Sequence, residues 1–184
     1  MGLPEARTMT SPTYGPSCTN LDLAAFEATR EAVAKDQQIG RGSFTTVTTW
    51  EDGARSRTVA RSFTIDTDEP APLGGSDRAI DPMELILASL GTCLSIGWVP
   101  QAAKRGVDFR RLEIRVDGDY DLRGYLAIDD GIRPGFAALR YTVDVDTDAP
   151  AAVLDEIRRA AEATSPMFDN ILRPTAIEGR VNPA

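Results

Sequence analysis

Histidine is missing from all 184 residues, and this absence excludes more chemistry than any motif in the chain supplies. Serine–histidine and cysteine–histidine catalytic pairs are ruled out, and a zinc or iron site loses its usual nitrogen ligand. Any mechanism must run on cysteine, arginine, lysine, carboxylates or hydroxyls, with no metal or cofactor expected. Cysteine is itself scarce: Cys18 and Cys93 are too few for a disulfide framework, which fits a reducing, cytoplasmic setting. Positive charge is short as well. Lys and Arg number 20 against 28 Asp and Glu, a net charge of −8. A surface of that sign repels the phosphates of nucleic acid and of anionic membranes, so neither is an expected partner.

No secretion signal is visible. Met1 to Ser17 holds Pro4, Glu5, Pro12 and Pro16 and no continuous apolar stretch, so it lacks the layout of a signal peptide. Residues 1–19 read as a mobile arm and 20–184 as a single domain, because 42% hydrophobic residues suffice for one ordinary core.

The elements follow from periodicity and punctuation. Asn20 predicts a cap for a helix over Leu21 to Lys35, with Leu23, Phe26 and Val33 facing inward. Ser43 to Glu51, the Asp52-Gly53 turn and the alternating run Ala54 to Ile65 predict a β-hairpin with Arg57, Val59, Arg61, Phe63 and Ile65 on one face. Asp81-Pro82-Met83-Glu84 opens the best-signalled helix: a capping aspartate, a proline at the first helical position and a glutamate at the third. Gly106 supplies its left-handed stop, with Val107 folding back on the last turn, and Pro100 inside it predicts a kink. From Met83 to Val99 this helix is apolar nearly all round, which predicts burial on every side. As a membrane span it is short and interrupted by Gly91, Gly97 and Pro100. Strands are expected over Leu112 to Val116, Leu139 to Val145 and Ile177 to Val181. A helix is expected from about Pro150 to Ala163, with Leu154, Ile157 and Ala161 inward, and Ser165-Pro166 begins a further helical turn.

Most apparent motifs dissolve on their chemistry. Gly91-Thr92-Cys93-Leu94-Ser95 has the outline of a hydrolase nucleophile elbow, but it lies mid-helix, ends in Ser95 where glycine is needed and has no histidine to serve it. Asp144, Asp146 and Asp148 begin with calcium-loop spacing, yet Ala149 stands where the sharp turn needs glycine. Asp117, Asp119 and Asp121 lack both that glycine and a closing carboxylate. Gly40-Arg41-Gly42 and Leu73-Gly74-Gly75 join no strand to a helix with Lys-Ser/Thr following, so they read as flexible connections rather than phosphate loops. That leaves Cys93. A lone cysteine on an apolar helix is often an inert small hydrophobe, and Cys93 lies too far along its helix to feel the positive end.

The stretch Gly74-Gly75 through Asp81-Pro82-Met83-Glu84-Leu85, then Ala88-Ser89-Leu90-Gly91-Thr92-Cys93, then Ala102-Ala103 and Gly106, resembles the OsmC/Ohr proteins. Ala161 to Leu172, with Ser165-Pro166, resembles that family's Cys-Pro segment. The resemblance implies an α+β fold of curved antiparallel sheets around a long buried helix, an intertwined homodimer, and reduction of organic hydroperoxides. Cys93 matches the attacking position. Ser165 stands where the family carries its resolving cysteine, so a disulfide through that position is chemically closed and an external thiol reductant is implied. Met83 stands where the family's glutamate would be, with Glu84 one place on and turned by about 100 degrees. Arg41 lies nearest the supporting arginine, with Arg57 and Arg61 as alternatives. Two functions follow from different classes. In the first, Cys93, Arg41, Glu84 and Ser165 form a one-cysteine peroxide-reducing site. In the second, the fold is a non-catalytic module that binds a small lipophilic ligand in the dimer pocket. A third role is Cys18 as a substitute resolving thiol.

Overall fold

The computed structural model describes residues 20–183. The expected arm and Cys18 lie outside the described residues. Element order is α1 (Leu23–Lys35), β1 (Val47–Asp52), β2 (Arg55–Ala60), β3 (Phe63–Thr67), α2 (Pro82–Ala103), β4 (Arg111–Asp119), α3 (Leu122–Tyr125), β5 (Ala138–Asp146), α4 (Ala151–Ala163) and α5 (Pro166–Leu172). Two antiparallel sheets result: the meander β1-β2-β3 and the pair β4-β5.

The core is built on α2. Asp81 accepts from Met83 N while Glu84 accepts from Asp81 N, which closes a reciprocal cap at the helix start. At the other end Gly106 takes a φ of 65°, and Val107 N donates to Ala102 O at 3.0 Å, the fold-back the sequence predicts. One face of α2 carries Leu90, Leu94, Trp98 and Ala102, all buried. Trp98 and Ala102 join Ile157 and Ala161 of α4 and Val107 in one cluster, on which Leu112, Ile114, Val143 and Val145 of β4 and β5 pack. The alternation read in those strands is what aims these side chains inward.

The expectation that α2 is buried all round fails within one chain. Ile96, on its other side, is 72% exposed. By length and composition α2 also passes as a membrane span; here its buried face packs on α4 and the β4-β5 pair. α1 starts two residues later than expected, with Asp22 rather than Asn20 as its cap. Its apolar residues are not buried in this chain: Phe26 is 42% exposed. Lys104 holds the helix by pairing with Glu27 at 2.7 Å and by sitting over the Phe26 ring.

The expected single strand from Ala54 to Ile65 is two strands. Arg61 and Ser62 form a tight turn between the paired residues Ala60 and Phe63, and Arg61 takes a positive φ of 57°. Two turn residues preserve the alternation on either side, so the break leaves no mark in the hydrophobic pattern. Ile177 to Val181, expected as a strand, runs without secondary structure and with Ile177 and Val181 exposed. Leu73-Gly74-Gly75, expected as a flexible connection, is tied down. The buried carboxylate of Asp68 accepts from Glu69 N, Ser76 N, Ser76 Oγ and Arg78 N. Gly75 is required there, since a Cβ would fall 1.7 Å from Glu69 O.

These hydrogen bonds, the Ser76 hydroxyl first, hold the Asp68 carboxyl at about 2 against an ordinary 3.8. A folded value below the unfolded one contributes stability above the unfolded value, and this is lost as pH falls through about 2. Asp68→Asn therefore melts at a lower temperature at neutral pH, and its deficit shrinks as pH falls through that window. Thermal melts followed by circular dichroism at several pH values measure this.

Candidate functional site

Cys93 sits midway along α2, half-buried. Its neighbour in space comes from the far end of the chain. α4 ends at Ala163, and Ser165 then caps α5, accepting from Phe168 N at 3.2 Å. This places the buried Ser165 Oγ 3.3 Å from Cys93 Sγ across 72 residues of sequence. Because the hydroxyl oxygen already accepts from Phe168 N, its own proton is free to point at the sulfur.

Behind Ser165 lies a polar brace. Tyr141 Oη donates to Glu162, Arg158 spans Glu162 at 2.8 Å and Asp155 at 2.6 Å, and Tyr141 meets Phe168 of α5 edge-on at 5.9 Å. The brace links β5, α4 and α5, the elements that seat Ser165. Burial first, and then the hydrogen bond to Glu162, push the Tyr141 phenol up to about 12.

The remaining expected site residues do not meet Cys93 within the chain. Glu84 is spent on the α2 cap, and nine residues of helical rise put it about 13 Å along the axis from Cys93. Arg41 is exposed in the loop before β1. Arg57 pairs with Asp66 at 2.8 Å and with Glu51 at 3.3 Å, while Arg61 lies over the Phe63 ring. The brace of Tyr141, Arg158 and Glu162 was not foreseen. Its only sequence signal is the four-residue spacing of Arg158 and Glu162, which is common on solvated helices.

Two of the three aspartates with calcium-like spacing share one partner: Asp146 and Asp148 both bind Arg110, at 2.5 and 3.1 Å. Asp117 and Asp121 pair with Arg115 and Arg123.

Helices and two antiparallel sheets in this order make a fold with known counterparts. The family model described as OsmC-like protein matches residues 74–179. The chain belongs to the OsmC-like family. Among solved structures, an OsmC-like protein from Mycoplasma pneumoniae superposes with a TM-score of 0.62 at 13% identity, covering 71% of this chain and 88% of that one. An organic hydroperoxide resistance protein from Legionella pneumophila gives 0.52 at 15% identity, covering 71% and 91%. Another, from Elizabethkingia anophelis, gives 0.52 at 14%, covering 73% and 90%. At such identities the likeness carries the fold. No curated protein matches the chain.

The brace yields a direct test. Ultraviolet titration of the phenols should show a last step at about pH 12, and Tyr141→Phe should lack it.

Proposed function

We propose that this OsmC-like protein reduces organic hydroperoxides through Cys93, with an external thiol as reductant. The observation that carries the reading is the hydroxyl of Ser165 at 3.3 Å from the Cys93 sulfur. A hydroxyl at that distance can donate to the sulfur, and a hydrogen bond donated to an anion is a strong one, which suits the thiolate as the attacking form. The thiolate attacks one peroxide oxygen; the O–O bond breaks, and the sulfur is oxidised to a sulfenic acid. The alkoxide leaves and takes up a proton to become the alcohol. A small thiol then condenses with the sulfenic acid, releasing water and forming a mixed disulfide. A second thiol displaces Cys93 and regenerates it, leaving the small molecule as its disulfide.

A cation beside the sulfur would stabilise both the thiolate and the leaving alkoxide, and in this reading a second copy of the chain supplies it. Two exposed apolar surfaces support a homodimer. β1 to β3 expose Val47, Trp50, Phe63 and Ile65, and α2 exposes Ile86 and Ile96. Surface of that extent and character is what chains cover by association. Arg41, Arg57 and Arg61 lie on or beside the exposed sheet, so Arg41 first, and the other two after it, are the residues a partner would bring. Glu84 would join the same arrangement only across that interface.

Purified protein supplied with cumene hydroperoxide and dithiothreitol should consume the peroxide, and Cys93→Ser should not. Ser165→Ala should slow the reaction roughly tenfold, the scale of one hydrogen bond to a charged group. Ser165→Cys should form an intramolecular disulfide on peroxide treatment. No turnover with any thiol in the intact protein would leave ligand binding as the surviving function. Light scattering should give twice the chain mass of 19.9 kDa, and Ile96→Asp should return the protein to single chains.

A further inference from the structure

The Ser165 hydroxyl serves the Cys93 sulfur only while its oxygen stays at 3.3 Å, yet a serine side chain left alone turns among staggered rotamers. The helix that Ser165 caps gives it little anchorage. α5 has seven residues, none of them buried, and a helix so short does not stand by itself. The hold on the hydroxyl comes from outside α5.

One side chain supplies it from both directions. Tyr141 of β5 reaches Glu162 and Phe168, which lie equally spaced before and after Ser165. Its Oη donates to the Glu162 carboxylate, and its ring meets the Phe168 ring edge-on with centroids 5.9 Å apart. Both partners also hydrogen-bond Ser165 itself. Glu162 O accepts from Ser165 N at 3.2 Å, and Phe168 N donates to Ser165 Oγ at 3.2 Å. Glu162 is fixed in turn by Arg158, whose Nη1 donates to its two carboxylate oxygens at 2.8 and 2.9 Å. Tyr141 is fixed by its strand, where it stands opposite Val116 in the β4-β5 ladder. The sheet thus reaches the hydroxyl through a single phenol ring.

We propose that Tyr141 is a positioning residue for Cys93: by gripping the chain on both sides of Ser165 it keeps that hydroxyl on the sulfur and so sets the reactivity of the thiol. This role rests on Cys93 being the reacting group of the proposed reduction.

Alkylation by iodoacetamide, followed on the Cys93 peptide of the full chain by mass spectrometry, needs a thiolate but no peroxide. At neutral pH Ser165→Ala should react about tenfold more slowly than the parent and Tyr141→Phe about threefold more slowly, the range of single hydrogen bonds. The double variant should be no slower than Ser165→Ala, because Tyr141 acts only through that hydroxyl. At about pH 10, where an ordinary thiol is ionised, all four rates should converge, which a change in access to the sulfur would not produce. Glu162→Gln, which keeps an acceptor for the phenol, should lose less than Glu162→Ala, with the fold of each variant checked by circular dichroism. Equal rates for parent and Tyr141→Phe at neutral pH, a deficit that persists at high pH, or deficits that add in the double variant would each overturn the proposal. The expected pattern in a protein that consumes no peroxide would leave the positioning role standing and remove only the reduction.

Discussion

The structure depends on one helix being gripped along a single face. Leu94, Trp98 and Ala102 of α2 press on Ile157, Ala161 and the inner side chains of β4 and β5, and each fully buried aliphatic side chain there contributes on the order of 2 kcal/mol. That grip sets the rotation of α2 about its own axis. With rotation set, Cys93 can only point toward the junction of α4 and α5, where Ser165 waits. The geometry of the site is thus a by-product of core packing: a small turn of α2 would aim the sulfur away from Ser165 and break the one contact between them.

The same grip leaves the molecule asymmetric. One side of α2 is covered and the other bears Ile96, while the three-stranded meander presents Trp50 and Phe63 outward. The thiol has a hydroxyl for company but, among the described residues, no guanidinium bonded to it, and Arg41, Arg57 and Arg61 stand on or beside the uncovered sheet. Completing the site and covering the hydrocarbon are the same act if two chains pair. The absence of histidine sharpens this dependence, because no imidazole is present to activate the sulfur from within.

What could be read in the sequence was whatever is encoded locally. The reciprocal cap at Asp81 and Glu84, the Gly106 stop, the alternation of Leu112, Ile114, Val143 and Val145, and the serine-proline start of α5 all appear where residue type and spacing place them. The turn at Arg61 and Ser62 was hidden because two turn residues let the alternation run through it and arginine is not a usual turn former. The inward face of α1 was overestimated, since amphipathic spacing marks a face without saying that this chain covers it, and the all-round apolarity of α2 misled for the same reason. Among the site residues, the pairing of Cys93 with Ser165 came from resemblance alone, and Glu84 turned out to serve its own helix. The Asp68 loop could not be read at all: nothing about one aspartate announces that four donors converge on it.

That loop has a mechanical meaning. No residue of β1, β2 or β3 belongs to the main apolar cluster, yet Thr67 at the end of β3 bridges Ile80, just before α2, and Asp68 locks the chain between them. The meander therefore meets the body through a polar joint rather than through a shared apolar core. Such a coupling passes orientation well and stability poorly, so the sheet can loosen while the thiol stays in place.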